Sequence, residues 1–509
     1  LIAISKSGVV LGVNSFPIDV EVDVSSGLPA FNIVGLPENA VKESRERVKS
    51  SIKNSGFPFP SQKITVNLAP ADIKKDGTGL DLPIAAAILC ATGILPHDKF
   101  QYFSILGELS LDGAIKPTRG ILPFAIGAES WDLKGIIVPE ENAKEASIVR
   151  NISVFPVTTL TEFVQFILDE KEISRAVFDN IFENDSEINF YDDFSDVIGQ
   201  SHAKRALEVA AAGGHNVLMV GPPGSGKTML SKRLPSILPP LTFEEAIETT
   251  SIYSVAGLLD TKTSIIKKRP FCSPHHTISD AGLIGGGAIP KPGQVSLSHN
   301  GILFLDELPE FKKNVLESLR QPMEDGVVTI SRSALTLSFP ARFTLIASQN
   351  PCPCGHLGNT KKACACSQGE IVRYRNKISG PLMDRLDIQI EVPAVSYEDL
   401  SSEKRGESSS AIRARVLRAR EIQQKRFSGR QIYCNSQMGA KEIREYCHLT
   451  SENRAFLEKM ANKFSLSARA YHRIIKISRT IADLEGASHI ALEHLAEAVQ
   501  YRSLDRGSI

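Results

Sequence analysis

The chain lacks net charge: 58 Lys and Arg balance 58 Asp and Glu over 509 residues. That balance excludes a global field, so contact with a polyanion has to come from local basic patches. Long hydrophobic runs are missing as well. No stretch of about eighteen apolar residues occurs, which excludes a membrane-spanning helix. The opening LIAISKSGVVLGV has no basic stretch followed by a cleavage site and reads as a strand, not a signal peptide. Cysteine is scarce, at eight in the whole chain. Eight is too few for a disulfide scaffold, and four of them cluster, which points to metal in a reducing cytosol. The expected location is cytoplasmic.

What is present divides the chain. Residues 1–170 alternate apolar stretches (Ile18 to Val24, Phe31 to Val34, Ile64 to Asn67, Gly135 to Val138) with helical ones (Ala40 to Ser55, Leu82 to Thr92, Phe124 to Ser130). Turn signals separate them, as in an α+β domain. Residues 171–192 read as an acidic linker, because no Lys or Arg occurs between Arg175 and Lys204 while Asp179, Glu183, Asp185 and Glu187 do. A second α/β domain spans 193–395. A polar hinge at 396–410 contains SSEKRGESSS. From 411 to 509 the periodicity is helical, with Ile474, Ile477, Ile481 and Leu484 at three- and four-residue spacing. The fold class is multidomain α/β with an α-helical carboxyl-terminal region.

The apolar run Asn216 to Val220 feeds Gly221-Pro222-Pro223-Gly224-Ser225-Gly226-Lys227-Thr228. A strand, a glycine-rich loop and a helix in that order form a nest of backbone N–H groups at a helix amino terminus, which binds phosphate oxygens. Lys227 can reach the β- and γ-phosphates, and Thr228 can place its hydroxyl on Mg²⁺. The chain therefore reads as an ATP-Mg²⁺ binder.

Gly301 to Glu307 is an apolar strand ending in two carboxylates. Asp306 can hold Mg²⁺ and Glu307 can polarise the attacking water. A third apolar strand, Phe343 to Ala347, ends at Ser348-Gln349-Asn350, where Asn350 can orient that water. Arg385 sits among apolar residues in Gly380 to Asp387. In a ring it could reach the neighbouring subunit's γ-phosphate. Arg469, opening an amphipathic helix, could touch the same nucleotide from the helical region. For both arginines a solvated surface role is the alternative.

These elements stand in the order found in AAA+ ATPases: the Walker A and B motifs, a first-sensor Asn, a trans arginine and a second-sensor arginine. Arg269 to Thr277, Gly285 to Gly287 and Pro292 to Leu297 further resemble the long signature of the magnesium-chelatase-like ComM/YifB family. The resemblance covers essentially the whole chain. It implies a hexameric AAA+ DNA motor, a helicase or translocase acting on single-stranded and branched DNA. Its role would be branch migration in homologous recombination or natural transformation, with other recombination proteins as partners. The alternative is a chelatase-type motor subunit that remodels a protein partner. Such subunits lack both the amino-terminal domain seen here and the cysteine cluster. The tandem His275 and His276 read as structural, since adjacent side chains cannot easily share one ion.

Val327 to Ile330 and Leu335 to Phe339 flank a short polar segment and read as a hairpin. By resemblance it projects into the central channel, with Arg332 as a DNA contact at its tip. A second pore loop, Gly285 to Gly293, would contribute Lys291. The run Ile412 to Arg430 is a basic helix, either a solvated face or a second nucleic-acid surface. Cys352, Cys354, Cys364 and Cys366 suit a structural zinc site in an insert at 352–366, with His356 as a substitute ligand and Lys361 and Lys362 beside it. Disulfides or free thiols are the other uses of these cysteines. Cys90, Cys272, Cys434 and Cys447 read as packing residues. Lys74 to Ala85 and Gly107 to Pro117 resemble the proteolytic domain of Lon. The serine's place holds Gly79 and the lysine's place holds Leu122, so a catalytically inactive domain is expected and peptidase activity is not.

Overall fold

A computed structural model describes residues 2–178, 192–260, 264–287, 289–332, 335–358, 362–394, 406–430, 432–464 and 466–502. Most of the acidic stretch, most of the polar hinge and Lys361 lie outside the described residues.

The first sheet has seven strands in the order β3-β4-β2-β1-β5-β8-β9. β1 (Ile2–Leu11) and β2 (Asn14–Ser25) form a long antiparallel hairpin, paired from Ile2↔Asp23 to Leu11↔Asn14. β3 (Ala30–Val34) and β4 (Lys63–Ala69) extend it on one side. β5 (Phe103–Ile105), β8 (Gly135–Pro139) and β9 (Ser153–Val157) extend it on the other. β6 (Glu108–Leu109) and β7 (Ile115–Lys116) make a separate ribbon. The helix Asp81–Ala91 is apolar on every side after Asp81 and buried from Asp81 to Cys90, which is what such a sequence demands. The helix read from sequence as Phe124 to Ser130 runs Ile121–Ala128 instead. Gly120, at φ +75°, turns the chain into it earlier than the periodicity suggests.

The second sheet is five-stranded and parallel, in the order β11-β14-β17-β10-β18. Its strands are β10 (Val217–Val220), β11 (Phe271–Cys272), β14 (Ile302–Leu305), β17 (Thr344–Gln349) and β18 (Ile388–Glu391). β10 and β14 are buried at every position, so they read as unbroken apolar runs. Two ribbons stand apart from this sheet: β12 (Gly285–Gly286) with β13 (Lys291–Pro292), and β15 (Val327–Arg332) with β16 (Leu335–Pro340).

The carboxyl-terminal region is helical, as expected: Ser409–Arg426, Ala440–Tyr446, Ser451–Phe464, Ala468–Leu484 and Leu492–Gln500. Ile474, Ile477 and Ile481 share one core with Val217, Met219 and Ile388 of the second sheet. A separate apolar cluster joins Ile121, Leu122 and Phe124 to Leu241, Ala246 and Ile265, welding the amino-terminal part to the domain built on the second sheet. Among the described residues, no helix is long and apolar enough to cross a membrane.

Candidate active site

Parallel register gathers the residues that the sequence marks for phosphate. Val220 pairs with Gln349 and Leu305 with Ala347, so the loop after β10, the acidic pair after β14 and Asn350 after β17 leave the sheet at one carboxyl edge. At Gly221 a Cβ would stand 2.2 Å from the Val392 carbonyl oxygen, which only glycine avoids. Gly224 and Gly226 adopt φ +77° and +85°, turning the loop's N–H groups inward.

Lys227 is buried, with its ammonium donating to the Gly221 carbonyl at 2.8 Å and the Pro222 carbonyl at 2.9 Å. Burial lowers its pKa, while Asp306 and Glu307 oppose that shift. Phosphate oxygens are better acceptors than these carbonyls, so the side chain is poised for them. Asp306 is clamped from three sides. Thr228 Oγ1 donates to its Oδ2 at 2.7 Å, while Ser348 Oγ and the Glu307 N–H donate to Oδ1. A hydroxyl and a carboxylate in direct contact beside a phosphate nest make a donor set that suits Mg²⁺. Glu307 stands in the left-handed region at φ +54°, with its side chain turned out and 54% exposed. His276 Nδ1 lies 3.6 Å from Glu307 Oε2, and the rings of His275 and His276 are 4.0 Å apart. Asn350 follows β17 directly, half-buried.

Three residues around this site escaped sequence reasoning. Ser348 holds Asp306. Gln200, at φ +52°, donates to the Ser225 carbonyl and ties the phosphate loop to the segment before it. Glu324 receives both Arg385 and Arg469. Only Ser348 carried a signal, its place two residues before Asn350.

The two arginines lie at the other end of the sheet. Asp387 N donates to the Asn216 carbonyl at the entry of β10, so Arg385 precedes β18 on the amino edge. Arg385 is buried against Glu324 and donates to the Pro381 carbonyl at 2.7 Å; its Nε has no partner among the described residues. Arg469 is 61% exposed and lies 3.8 Å from the same Glu324 oxygen. A cleft of about 690 Å³ opens there, lined in part by Glu324, Arg469, Arg473 and Lys476.

The four clustered cysteines converge. Their sulfurs all lie within 4.8 Å of one another, with separations of 3.4, 3.6 and 3.6 Å among Cys352, Cys354 and Cys364. A zinc ion with Zn–S bonds of about 2.3 Å needs tetrahedral edges of about 3.8 Å, so the set fits. The Cys354 thiol is drawn down to about 6 by the backbone N–H groups of His356 and Ala365. His356 is not part of the sulfur cluster. The turn from Cys352 to Gly355 leans on the phosphate loop: a Cβ on Gly355 would stand 2.6 Å from Pro223 Cδ. Cys90, Cys272, Cys434 and Cys447 are buried packing residues.

Arg332 and Lys291 come together. The Arg332 guanidinium lies over Gly286, 3.2 Å from where a Cβ would be, and Gly286 pairs with Lys291 in the β12–β13 ribbon. The basic helix behaves differently. Arg415 pairs with Glu208 and Glu407, Arg426 with Asp483, and Arg430 with Glu445, while Arg420 donates to the Ala211 and Tyr433 carbonyls. Those four arginines are spent on internal contacts; Arg418 and Lys425 remain exposed. In the amino-terminal part, Leu122 is fully buried and Gly79 packs on Leu106, so neither position offers a nucleophile or a base.

Three family models match. Residues 193–400 match "Magnesium chelatase, subunit ChlI", 20–142 match "Subunit ChlI of Mg-chelatase", and 406–502 match "Magnesium chelatase, subunit ChlI C-terminal". The chain is 45% identical to Competence protein ComM of Haemophilus influenzae over 510 residues, covering 99% of this chain and 98% of that protein. It is 43% identical to the uncharacterized protein YifB of Escherichia coli, covering 97% and 96%. It is also 31% identical to Lon protease 2 of Bacillus subtilis over 167 residues, 30% of this chain and 29% of that one.

Proposed function

The chain belongs to the ComM/YifB family of magnesium-chelatase-like AAA+ ATPases, and from that premise we propose that it is an ATP-driven DNA motor. It works as a hexameric ring and promotes branch migration of recombination intermediates, in general recombination or during DNA uptake. The name of the Haemophilus influenzae relative, a competence protein, supports the second setting.

In this reading the Gly221 to Thr228 nest and Lys227 hold the triphosphate. Thr228 and Asp306 hold Mg²⁺, which supplies charge neutralisation at the β- and γ-oxygens. Ser348 keeps the Asp306 carboxylate aimed. Glu307, exposed and beside His276, takes the proton of the attacking water, which Asn350 orients. Arg385 and Arg469, on the opposite edge, serve the nucleotide of the next subunit. A phosphate there competes with Glu324 for both guanidinium groups. Cys352, Cys354, Cys364 and Cys366 hold one structural zinc ion, which stiffens the turn against Pro223. The amino-terminal domain, 1–170, is catalytically silent.

One observation carries the nucleic-acid part: the Arg332 guanidinium of one ribbon lies against Gly286, the pairing partner of Lys291 in the other. Two cations on loops suit phosphate contact without base readout. The test is Arg332→Ala. It should leave DNA-independent ATP hydrolysis intact while strand movement per ATP falls. Normal branch migration by that variant would refute the role.

A further inference from the structure

The tip of the β1–β2 hairpin is not solvated. Its turn is Gly12-Val13, and Gly12 is buried at φ +66°. A Cβ on Gly12 would stand 3.3 Å from the Ser338 carbonyl oxygen and 3.9 Å from Leu337 Cβ, both on β16. Leu11 and Val13 flank it, half-buried. They pack with the cluster that contains Val328, Ile330, Leu337 and Phe339, the inward face of the β15–β16 ribbon. Leu11 also packs with the core of the first sheet, so one side chain touches both cores.

A second tie lies nearby. Gly120 N donates to the Ser254 carbonyl at 3.3 Å. Ser254 Oγ donates to Glu145, which also accepts the Leu122 N–H at 2.9 Å. Ser254 belongs to the helix Phe243–Ala256, whose Tyr253 packs with the same cluster as the ribbon. Besides the Ile121–Leu241 cluster, the amino-terminal part therefore grips the motor at these points, and one of them is the ribbon that carries Arg332.

A two-stranded ribbon has little stability of its own and takes its position from whatever covers its apolar face. We propose that the amino-terminal part, through the turn at Gly12, braces the β15–β16 ribbon and sets the height at which Arg332 is presented. Leu11 and Val13 are then positioning residues. This gives the peptidase-dead domain a mechanical task, and its consequence for DNA rests on the reading of Arg332 given above. With the brace loosened, the ribbon still forms but shifts under load, and hydrolysis no longer moves the strand efficiently.

The experiment uses the full chain with Leu11→Ala and Val13→Ala together and, separately, Gly12→Val, which forces a Cβ into β16 at a left-handed position. If Gly12→Val fails to fold, the alanine pair carries the test. Amide exchange over residues 335–340 is measured without DNA, and ATP hydrolysis with and without a single-stranded oligodeoxynucleotide. The proposal expects exchange there to rise roughly ten-fold, basal hydrolysis to hold, and the DNA stimulation to fall several-fold. Unchanged exchange overturns the brace. Raised exchange with full stimulation, where Arg332→Ala abolishes stimulation, overturns the coupling. Raised exchange with stimulation indifferent to Arg332→Ala as well supports the brace and sinks the pore reading instead.

Discussion

Arg385 and Arg469 meet on one carboxylate, that of Glu324, although one guanidinium is buried and the other exposed. Both stand at the amino edge of the five-stranded sheet, while Lys227, Asp306 and Asn350 stand at its carboxyl edge. One chain thus holds the glycine loop and acidic pair at one end and the two arginines at the other, an arrangement that the proposed ring of copies would bring together.

Arg385→Ala is expected to bind ATP within a few-fold of the parent while hydrolysis drops by roughly 10³. Mixing it with Lys227→Ala, itself inactive, should restore part of the rate, because some interfaces then keep both residues. Steady-state ATPase assays across mixing ratios read this out. No recovery at any ratio would place Arg385 outside the neighbour's site.

Glu307→Gln should keep ATP affinity and slow turnover by at least about 10²-fold, since the amide cannot accept the water's proton. Lys227→Ala should instead lose affinity. Equilibrium nucleotide binding separates the two. Unchanged turnover in the Glu307 variant would remove it from the chemistry.

For the cysteine cluster, about one zinc per chain is expected in protein purified without chelator, falling in Cys364→Ser. Because Gly355 rests on Pro223, metal loss should also weaken ATP binding several-fold. Elemental analysis and nucleotide titration check both, and a metal-free preparation with full ATP affinity contradicts the assignment.

The seam between sheet and helical region should fail in acid through Asp387. Burial pushes its carboxyl up, but Arg473, His215 and the Asn216 N–H pull it well below the usual carboxylate range. The native state then binds fewer protons than the unfolded chain. The resulting stability is complete above about pH 4 and is lost as pH falls toward the native value. Asp387→Asn is expected to cost about 3 kcal/mol at neutral pH and to flatten the pH dependence below about pH 4. Urea midpoints measure it; equal acid sensitivity in both proteins would exclude Asp387.

Local grammar made much of this legible. The glycine loop, the carboxylates after β14 and the paired cysteines announce themselves because spacing alone constrains them, and parallel strands show as apolar runs. What was hidden depends on contacts across the chain. Glu324 gave no sign of its two arginines, since neither lies on its own element. The run of arginines after Ser409 looked solvent-facing, but the acids that absorb them, Glu208 and Asp483, lie on other helices. Gly12 lies inside an opening stretch that reads as a strand, and only the folded chain shows the turn there and β16 beneath it.

The measurement that bears most directly on the motor account is ATPase rate with single-stranded, duplex and four-way-junction DNA at two salt concentrations. The account predicts stimulation that is strongest with single-stranded or branched DNA and fades at the higher salt, as phosphate contact requires. A rate indifferent to all three DNAs at both salts would contradict it.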